Sequence, residues 1–197
     1  MKVDLNSQML RWVPRLIEDL NLDLQQANRI STVISNEISS LSTDTKKELI
    51  LSSPILPRDR IDELLAFQGW MDFASGIKRN PFITRAQVIT QNYFCFVYLG
   101  DALFKALKVA LPTSKVTGRC CRFLLNNPVR GFRNAIAHSN WKYLPDFSGI
   151  EFWSKKGSDP DEPLVRFEVS QNDLNYWQAL ARCTAYSAFL ALDKETG

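Results

Sequence analysis

The segment TRAQVITQNYFCFVYLGDALFKALKVA, residues 84–110, decides the expected fold. Aliphatic and aromatic side chains would lie on most sides of a helix formed by this segment, which is typical of a helix buried inside a bundle. Asp101, Lys105 and Lys108 interrupt it, whereas a membrane-spanning helix needs about 20 predominantly apolar residues. The segment therefore predicts a buried central helix that ends before Pro112, and it argues against a membrane protein.

Helical periodicity also characterises the chain before this segment. Apolar residues recur at i, i+3, i+4 and i+7 spacing over residues 9–20 and again over 30–41, and another apolar face spans 61–73. Pro54 and Pro57 interrupt the chain between the second and third of these regions. These patterns predict amphipathic helices throughout the N-terminal third.

Two shorter helices are expected after the central one. Residues 119–125 fit a short helix that follows a polar link. Asn127 and Pro128 predict the start of the next helix, because Asn is a good N-cap and Pro suits the first helical position. This helix is expected to continue to about Trp141.

A β-hairpin and a final helix complete the expected fold. Two short segments of alternating polarity around a polar loop predict the hairpin at about 149–169. Ser170, with Asp173 three residues later, is typical of a helix start. We therefore expect an all-α bundle of about six helices, with a small β-hairpin inserted before the C-terminal helix, in a single domain over 1–197.

The composition is that of a globular protein. The 197 residues are 45% hydrophobic and 23% charged, and the N-terminal segment lacks the basic and apolar regions of a secretory signal, so we expect a cytoplasmic protein. The four cysteines lack C-x-x-C spacing and are interpreted as buried thiols. The one histidine, His138, excludes two-histidine zinc motifs within a single chain.

Charge is distributed unevenly along the sequence. Eleven of the 24 Lys and Arg residues lie between Phe73 and Pro145, where Asp101 is the only acidic residue. This basic middle would attract an anionic ligand, unless folding pairs it with the acidic residues of the two ends. It also lacks the carboxylate cluster with which two-metal nucleases hold their ions, so we expect neither a metal nor a cofactor.

The sharpest motif in the basic middle is Arg133-Asn134-Ala-Ile-Ala-His138. On a helix, Asn134 and His138 share a face, and Arg133 lies about 140° away, close enough for its long side chain to curl toward the same cleft. Cleavage of RNA without a metal needs a group that moves a proton and a cation that stabilises the phosphorane charge. His138 suits the first role and Arg133 the second, while Asn134 could fix the imidazole tautomer or bind a phosphate oxygen.

A single histidine leaves the departing 5′-oxygen without a second proton carrier in the same chain. A symmetric dimer would supply one by bringing two copies of this helix together across a two-fold axis. The motif thus favours a homodimer if the chain is a nuclease.

The motif resembles the signature of the HEPN superfamily, in which an Arg and a polar residue precede a His by five and four positions. The match covers six residues, and its context agrees: a late helix of a helical bundle, an earlier long apolar helix and basic surroundings. Members with the motif are typically metal-independent endoribonucleases, often toxins or phage-defence effectors. The resemblance implies Arg133 and His138 as catalytic residues and Asn134 as their polar support.

The same resemblance implies the partners of the chain. These are an RNA substrate, a second copy with the motif at the two-fold interface, and an antitoxin or other inhibitor protein. Where a subset of the family has a tyrosine two residues after the histidine, this chain has Asn140. The expected RNA- or phosphate-binding residues around the motif are Arg130, Asn140, Lys142, Arg119 and Arg122.

Two other functions are compatible with the sequence. The chain could be a non-catalytic HEPN-like module that uses the basic middle to bind RNA or a nucleotide, or to dimerise. It could also be a structural helical protein whose basic middle contacts an acidic partner, which strongly salt-dependent binding of nucleic acid would argue against.

Overall fold

Helices dominate the fold in the computed structural model of the protein. The structure describes residues 24–53, 55–75, 81–99, 101–146, 148–155, 161 and 163–195. The helix expected over 9–20 lies outside the described residues. Over the described residues the chain is mostly helical with one small antiparallel sheet, in agreement with the expected class.

Three helices form the N-terminal part of the described chain: α1 (Leu24–Ser39), α2 (Thr43–Leu51) and α3 (Pro57–Ser75). Helix α2 is not predicted from apolar periodicity, because its nine residues are mostly polar. It begins where the Ser42 hydroxyl accepts a hydrogen bond from the backbone N–H of Thr45 at 3.2 Å. This cap starts α2 only three residues after the end of α1.

The long apolar segment forms α4 (Pro81–Asn92), a π-helical turn (Tyr93–Tyr98) and α5 (Asp101–Ala110). In the π turn the backbone N–H of Leu99 donates to the carbonyl of Phe94, five residues earlier, at 2.9 Å. The segment is helical over its described residues, as expected. Its division at the π turn contributes to a count of eight α-helices in the described chain, more than the six expected.

Two short helices and one long helix follow: α6 (Val116–Leu125), α7 (Val129–Ala137) and α8 (Gln171–Asp193). The expected start of α8 is confirmed, since the Ser170 hydroxyl accepts from the Asp173 N–H. Residues 177–189 of α8 are all buried, whereas α4 and α5 expose Ile89, Lys105 and Val109. The most buried helix is therefore α8, and the expectation for 84–110 was wrong on this point.

Small side chains explain the burial of α8, which packs against α1, α3 and α6. Five of its alanines are buried and let neighbouring helices approach: Ala179, Ala181, Ala185, Ala188 and Ala191. The hydroxyls of Ser31 on α1 and Ser187 on α8 are 2.9 Å apart, a contact that larger residues would prevent. Large apolar residues are common in the 84–110 segment, but small ones allow the closer packing.

The sheet has three strands in the order β1 (Trp141–Tyr143), β2 (Gly149–Ser154) and β3 (Val165–Ser170). Strands β2 and β3 are antiparallel, with Gly149 opposite Ser170, as the expected hairpin requires. The prediction of a hairpin alone was incomplete, because β1 pairs with the other edge of β2. Trp141 and Tyr143 alternate with Lys142, so three residues suffice to add this strand.

Phe132 connects α7 to the core. Its ring meets those of Phe96, Phe152 and Trp177 edge-on, with centroids 5.2 to 5.9 Å apart. These rings belong to the π turn, β2 and α8, so the helix that carries the motif is fixed against three elements. None of the helices in the described ranges combines the length and apolar character needed to cross a bilayer.

Candidate functional site

Helix α7 begins one residue later than the sequence indicated. Asn127 was expected to be its N-cap, but the cap position belongs to Pro128, and the Asn127–Pro128 peptide bond is cis. The backbone N–H of Arg130 donates to the Asn126 carbonyl at 2.8 Å, so the first turn closes on Asn126 and not on an Asn127 side chain. The helix then spans only nine residues.

The C-terminal end of α7 is a Schellman motif, and the helix does not continue to Trp141. The backbone N–H of Asn140 donates to the carbonyl of Ala135 at 2.8 Å, and that of Ser139 donates to Ile136 at 3.4 Å. Ser139 has a φ of 59°, in the left-handed region that ends a helix. His138 is therefore the C-cap residue, and the chain reverses directly after it.

His138 lies on one wall of a groove between α7 and the sheet, which we call the histidine groove. The imidazole is exposed. The groove has a volume of about 450 Å³ and is lined by Asn134, His138, Asn140, Ser154, Lys155 and Leu164. Asn134 and His138 share this side of the helix, as the four-residue spacing predicts.

Close packing of β2 on α7 brings Ser154 to the groove that His138 lines. A Cβ atom on Gly131 would lie 2.7 Å from Ser154 Oγ and 3.5 Å from the ring of Phe152. The backbone N–H of Trp153 donates to the Asn140 carbonyl at 3.0 Å and holds the strand beside the helix end. Gly131 thus allows the strand that carries Ser154 to approach the helix that carries His138.

Within the motif, the Arg133 side chain forms hydrogen bonds with the Asn134 side chain. Its Nη2 and Nε atoms donate to Asn134 Oδ1 at 3.0 and 3.3 Å, respectively. This amide oxygen therefore orients the guanidinium, whereas the sequence left open whether Asn134 fixes the imidazole tautomer or binds a phosphate oxygen. The contact joins a cation to the edge of the histidine groove.

Arg133 also lines a second groove, which we call the basic groove. This groove has a volume of about 370 Å³ and is lined by Lys105, Lys108, Val109, Leu124, Leu125, Arg130 and Arg133. Two of its cations come from α5 and two from α7. Arg133 and His138 therefore line different grooves. Asn134 lines the histidine groove with His138 and accepts the hydrogen bonds of Arg133.

The other expected binding residues lie in different places. Arg130 lines the basic groove and Asn140 the histidine groove. Lys142 forms an ion pair with Glu151 at 2.7 Å, and Arg119 and Arg122 are on α6, outside the residues that line either groove.

The pairing of Lys142 affects its neighbour on β2. Hydrogen bonds from Lys142 and then from Arg166 hold the pKa of Glu151 below its ordinary value. Both partners therefore meet an ionised carboxylate at neutral pH.

Three lysines in the grooves are not identified by the motif. Lys155 follows β2 and reaches the histidine groove, while Lys105 and Lys108 reach the basic groove from α5. The spacing of the two α5 lysines, i and i+3, places them on one helix face and is a sequence signal for the basic groove. No local signal marks Lys155, because the pairing of the sheet brings it to His138.

Three of the four cysteines, Cys120, Cys121 and Cys183, are unsuited to act as nucleophiles. Burial raises the pKa of the Cys183 thiol to about 12 and also raises the pKa of Cys120 and Cys121. These thiols stay protonated at neutral pH and are poor nucleophiles. Over the described ranges, no three His, Cys, Asp or Glu residues cluster in a way that could bind a metal ion.

Comparison with known proteins adds no relative. No protein-family model, curated protein or solved structure matches the chain. The functional argument therefore rests on the motif and the two grooves.

Proposed function

We propose that the protein is a metal-independent endoribonuclease of the HEPN type, which cleaves single-stranded RNA as a homodimer and acts as a toxin or phage-defence effector. One observation carries the proposal: the Arg133 guanidinium is hydrogen-bonded to Asn134, and Asn134 shares a groove with the exposed His138. RNA cleavage without a metal requires a proton-transfer group and a positioned cation, and Asn134 links these two groups here.

In the proposed reaction, His138 accepts the proton of a 2′-hydroxyl while O2′ attacks the adjacent phosphorus. The O2′–P bond forms as the P–O5′ bond breaks, and Arg133 stabilises the negative charge on the phosphorane. His138 of the partner subunit donates a proton to O5′. The products are a 2′,3′-cyclic phosphate and a 5′-hydroxyl, so no water or metal takes part in the step.

Cleavage of a mixed RNA pool in EDTA tests this proposal. We expect the wild type to cut RNA, His138→Ala to lose roughly 10²- to 10⁴-fold in rate, and Arg133→Ala to lose roughly 10²- to 10³-fold. An oligonucleotide with a 2′-deoxyribose at the cut position should be inert, because it lacks the nucleophile. Analysis of the termini should find the cyclic phosphate on the 5′ fragment.

Arg29→Ala is the matched control for Arg133→Ala. Arg29 is an exposed arginine on α1, so its loss changes the net charge equally without touching either groove. If Arg29→Ala loses as much activity as Arg133→Ala, the assigned role of Arg133 is wrong. If His138→Ala still cuts at the wild-type rate, the cleavage comes from a contaminant or another site, and the proposal fails.

The position of Arg133 in the basic groove supports a second candidate function. A non-catalytic module would use the cations of that groove to bind RNA or a nucleotide, with His138 outside the binding surface. In that case no variant cleaves RNA, Arg133→Ala weakens binding most, and His138→Ala binds like the wild type. A nuclease would instead lose cleavage in His138→Ala while retaining nearly all binding.

A further inference from the structure

We propose that the basic groove binds the phosphodiester backbone of the RNA strand beside the cleavage point, as a subsite distinct from the histidine groove. This inference rests on the proposed function, and three of the four cations that it uses lie outside the Arg-x4-His motif. Its main element is the pair Lys105 and Lys108 on α5, which faces Arg130 and Arg133 on α7.

The charge of the groove selects an anion. Its four cations come from two helices separated in sequence, and none of the described residues that line it is acidic. Four cations at one groove create a positive potential, which attracts the regularly spaced charges of a phosphate chain. A divalent cation would find no carboxylate among these lining residues.

The apolar residues of the groove suit a nucleic acid better than a small ion. Val109, Leu124 and Leu125 also line the groove, and Val109 is 89% exposed. Apolar walls next to the charges strengthen their field and give the sugar and base faces a surface to contact. An isolated phosphate would use only the charges.

The Arg133–Asn134 contact connects the basic groove to the histidine groove. Arg133 lines the basic groove, and Asn134, which accepts its hydrogen bonds at 3.0 and 3.3 Å, lines the histidine groove. Arg130 and His138 are eight residues apart, which is about 12 Å along α7 at 1.5 Å per residue. At about 3.4 Å per nucleotide of a stacked strand, this distance corresponds to about three to four nucleotides.

The test measures binding of a labelled 12-nucleotide single-stranded RNA at several salt concentrations, in a His138→Ala background so that the RNA stays intact. Adding Lys105→Gln and Lys108→Gln should raise Kd roughly five- to tenfold at low salt. The slope of log K against log salt should become shallower by about 1.4, because each phosphate contact on a single strand contributes about 0.7. Arg130→Gln, on the opposite wall, should reduce the slope by about half as much.

Lys47→Gln with Lys194→Gln is the matched control in the same background. Both lysines are exposed and lie outside the basic groove, so this pair removes the same charge. It should leave the slope unchanged. A dinucleotide offers only one phosphodiester, so its binding should weaken less than that of the 12-mer.

Three ligands separate backbone binding from simple anion binding. Single-stranded RNA and DNA of equal length should show the same loss of slope, since phosphates carry the contact, and inorganic phosphate should compete only weakly. The inference is overturned if the control pair changes the slope as much as the groove pair, if the dinucleotide is weakened as much as the 12-mer, or if inorganic phosphate displaces RNA stoichiometrically.

The outcome is independent of cleavage. Wild-type protein that cuts RNA, combined with an unchanged slope in the groove variant, would disprove the subsite and leave the nuclease intact. A changed slope in a protein whose wild type cuts no RNA would disprove the nuclease and leave the subsite as part of a binding module.

Discussion

At the scale of single residues, the left-handed backbone of Ser139 ends α7 directly after His138. Its φ of 59° costs a non-glycine residue about 1 kcal/mol, which the two hydrogen bonds of the Schellman motif offset. Ser139→Gly removes this cost. We expect the free energy of unfolding to rise by about 1 kcal/mol, as measured by urea denaturation, whereas the β-branched Ser139→Val should lower it.

Ser52→Gly is the control for the Ser139 prediction. Ser52 also lies at a helix C-terminus, as the C-cap residue of α2, but its φ of −68° is right-handed and its hydroxyl donates to the Leu49 carbonyl at 2.7 Å. Glycine there should lower the free energy of unfolding by about 0.5 to 1 kcal/mol. Stabilisation by both substitutions, or by neither, would contradict the role assigned to the backbone of Ser139.

The sequence predicts the site residues only in part. Arg133, Asn134 and His138 are neighbours in the chain, so the motif and helical spacing place Asn134 and His138 together. Arg133 was expected to curl across the 140° toward the cleft of His138, but the structure has its side chain in the basic groove. Lys155 reaches His138 only through long-range strand pairing, which no local pattern specifies.

At the scale of secondary-structure elements, Glu37 links α1 to the start of α6. Its carboxylate accepts hydrogen bonds from the backbone N–H groups of Val116 and Thr117 at 2.9 and 2.8 Å, and from the Thr117 hydroxyl at 2.7 Å. Partial burial raises the pKa of Glu37, but the Thr117 and Val116 hydrogen bonds and the charge of Lys115 outweigh it, so the pKa lies below its ordinary value. An anion at a helix N-terminus also interacts favourably with the helix dipole.

Glu37→Gln should therefore lower the free energy of unfolding by about 1 kcal/mol at pH 7. Because the pKa of Glu37 is lowered in the folded state, its contribution is complete above the ordinary carboxyl pKa and is lost as the pH falls through the folded value. The difference between wild type and variant should thus shrink in acid, as urea denaturation across pH would measure. Glu48→Gln, at an exposed position on α2, is the control, and an equal effect there would exclude a specific cap.

Element types are better predicted from the sequence than element ends. Apolar periodicity and the Ser170 cap predict most of the helices, because these signals are local. The end of α7 depends on a serine in a conformation that glycine usually adopts, so the sequence extends this helix into β1. The burial of α8 depends on alanines whose neighbours are distant in sequence, which apolar character alone does not indicate.

At the scale of the whole molecule, part of the charge segregation in the sequence persists in the fold. Lys105, Lys108, Arg130 and Arg133 all come from the basic middle and converge on one groove, although up to 28 positions separate them in the chain. Lys142 instead pairs with Glu151, from the acidic remainder. The fold therefore concentrates four basic residues of the middle segment in one groove next to the motif. At the sheet, Glu151 neutralises the charge of Lys142.

The single histidine makes the proposed nuclease depend on two copies of the chain, which subunit mixing can test. If both copies of His138 are required, one as base and one as acid, a dimer of wild type and His138→Ala is inactive. Incubation with a threefold excess of His138→Ala, long enough for subunits to exchange, should then reduce cleavage per wild-type chain to about one quarter at saturating RNA. A threefold excess of Lys47→Gln protein should cause no such loss, because that exposed lysine lies outside both grooves. Unchanged cleavage after mixing, with exchange verified by a labelled subunit, would mean that one chain carries the whole reaction and that another group, such as Lys155 beside His138, protonates the leaving oxygen.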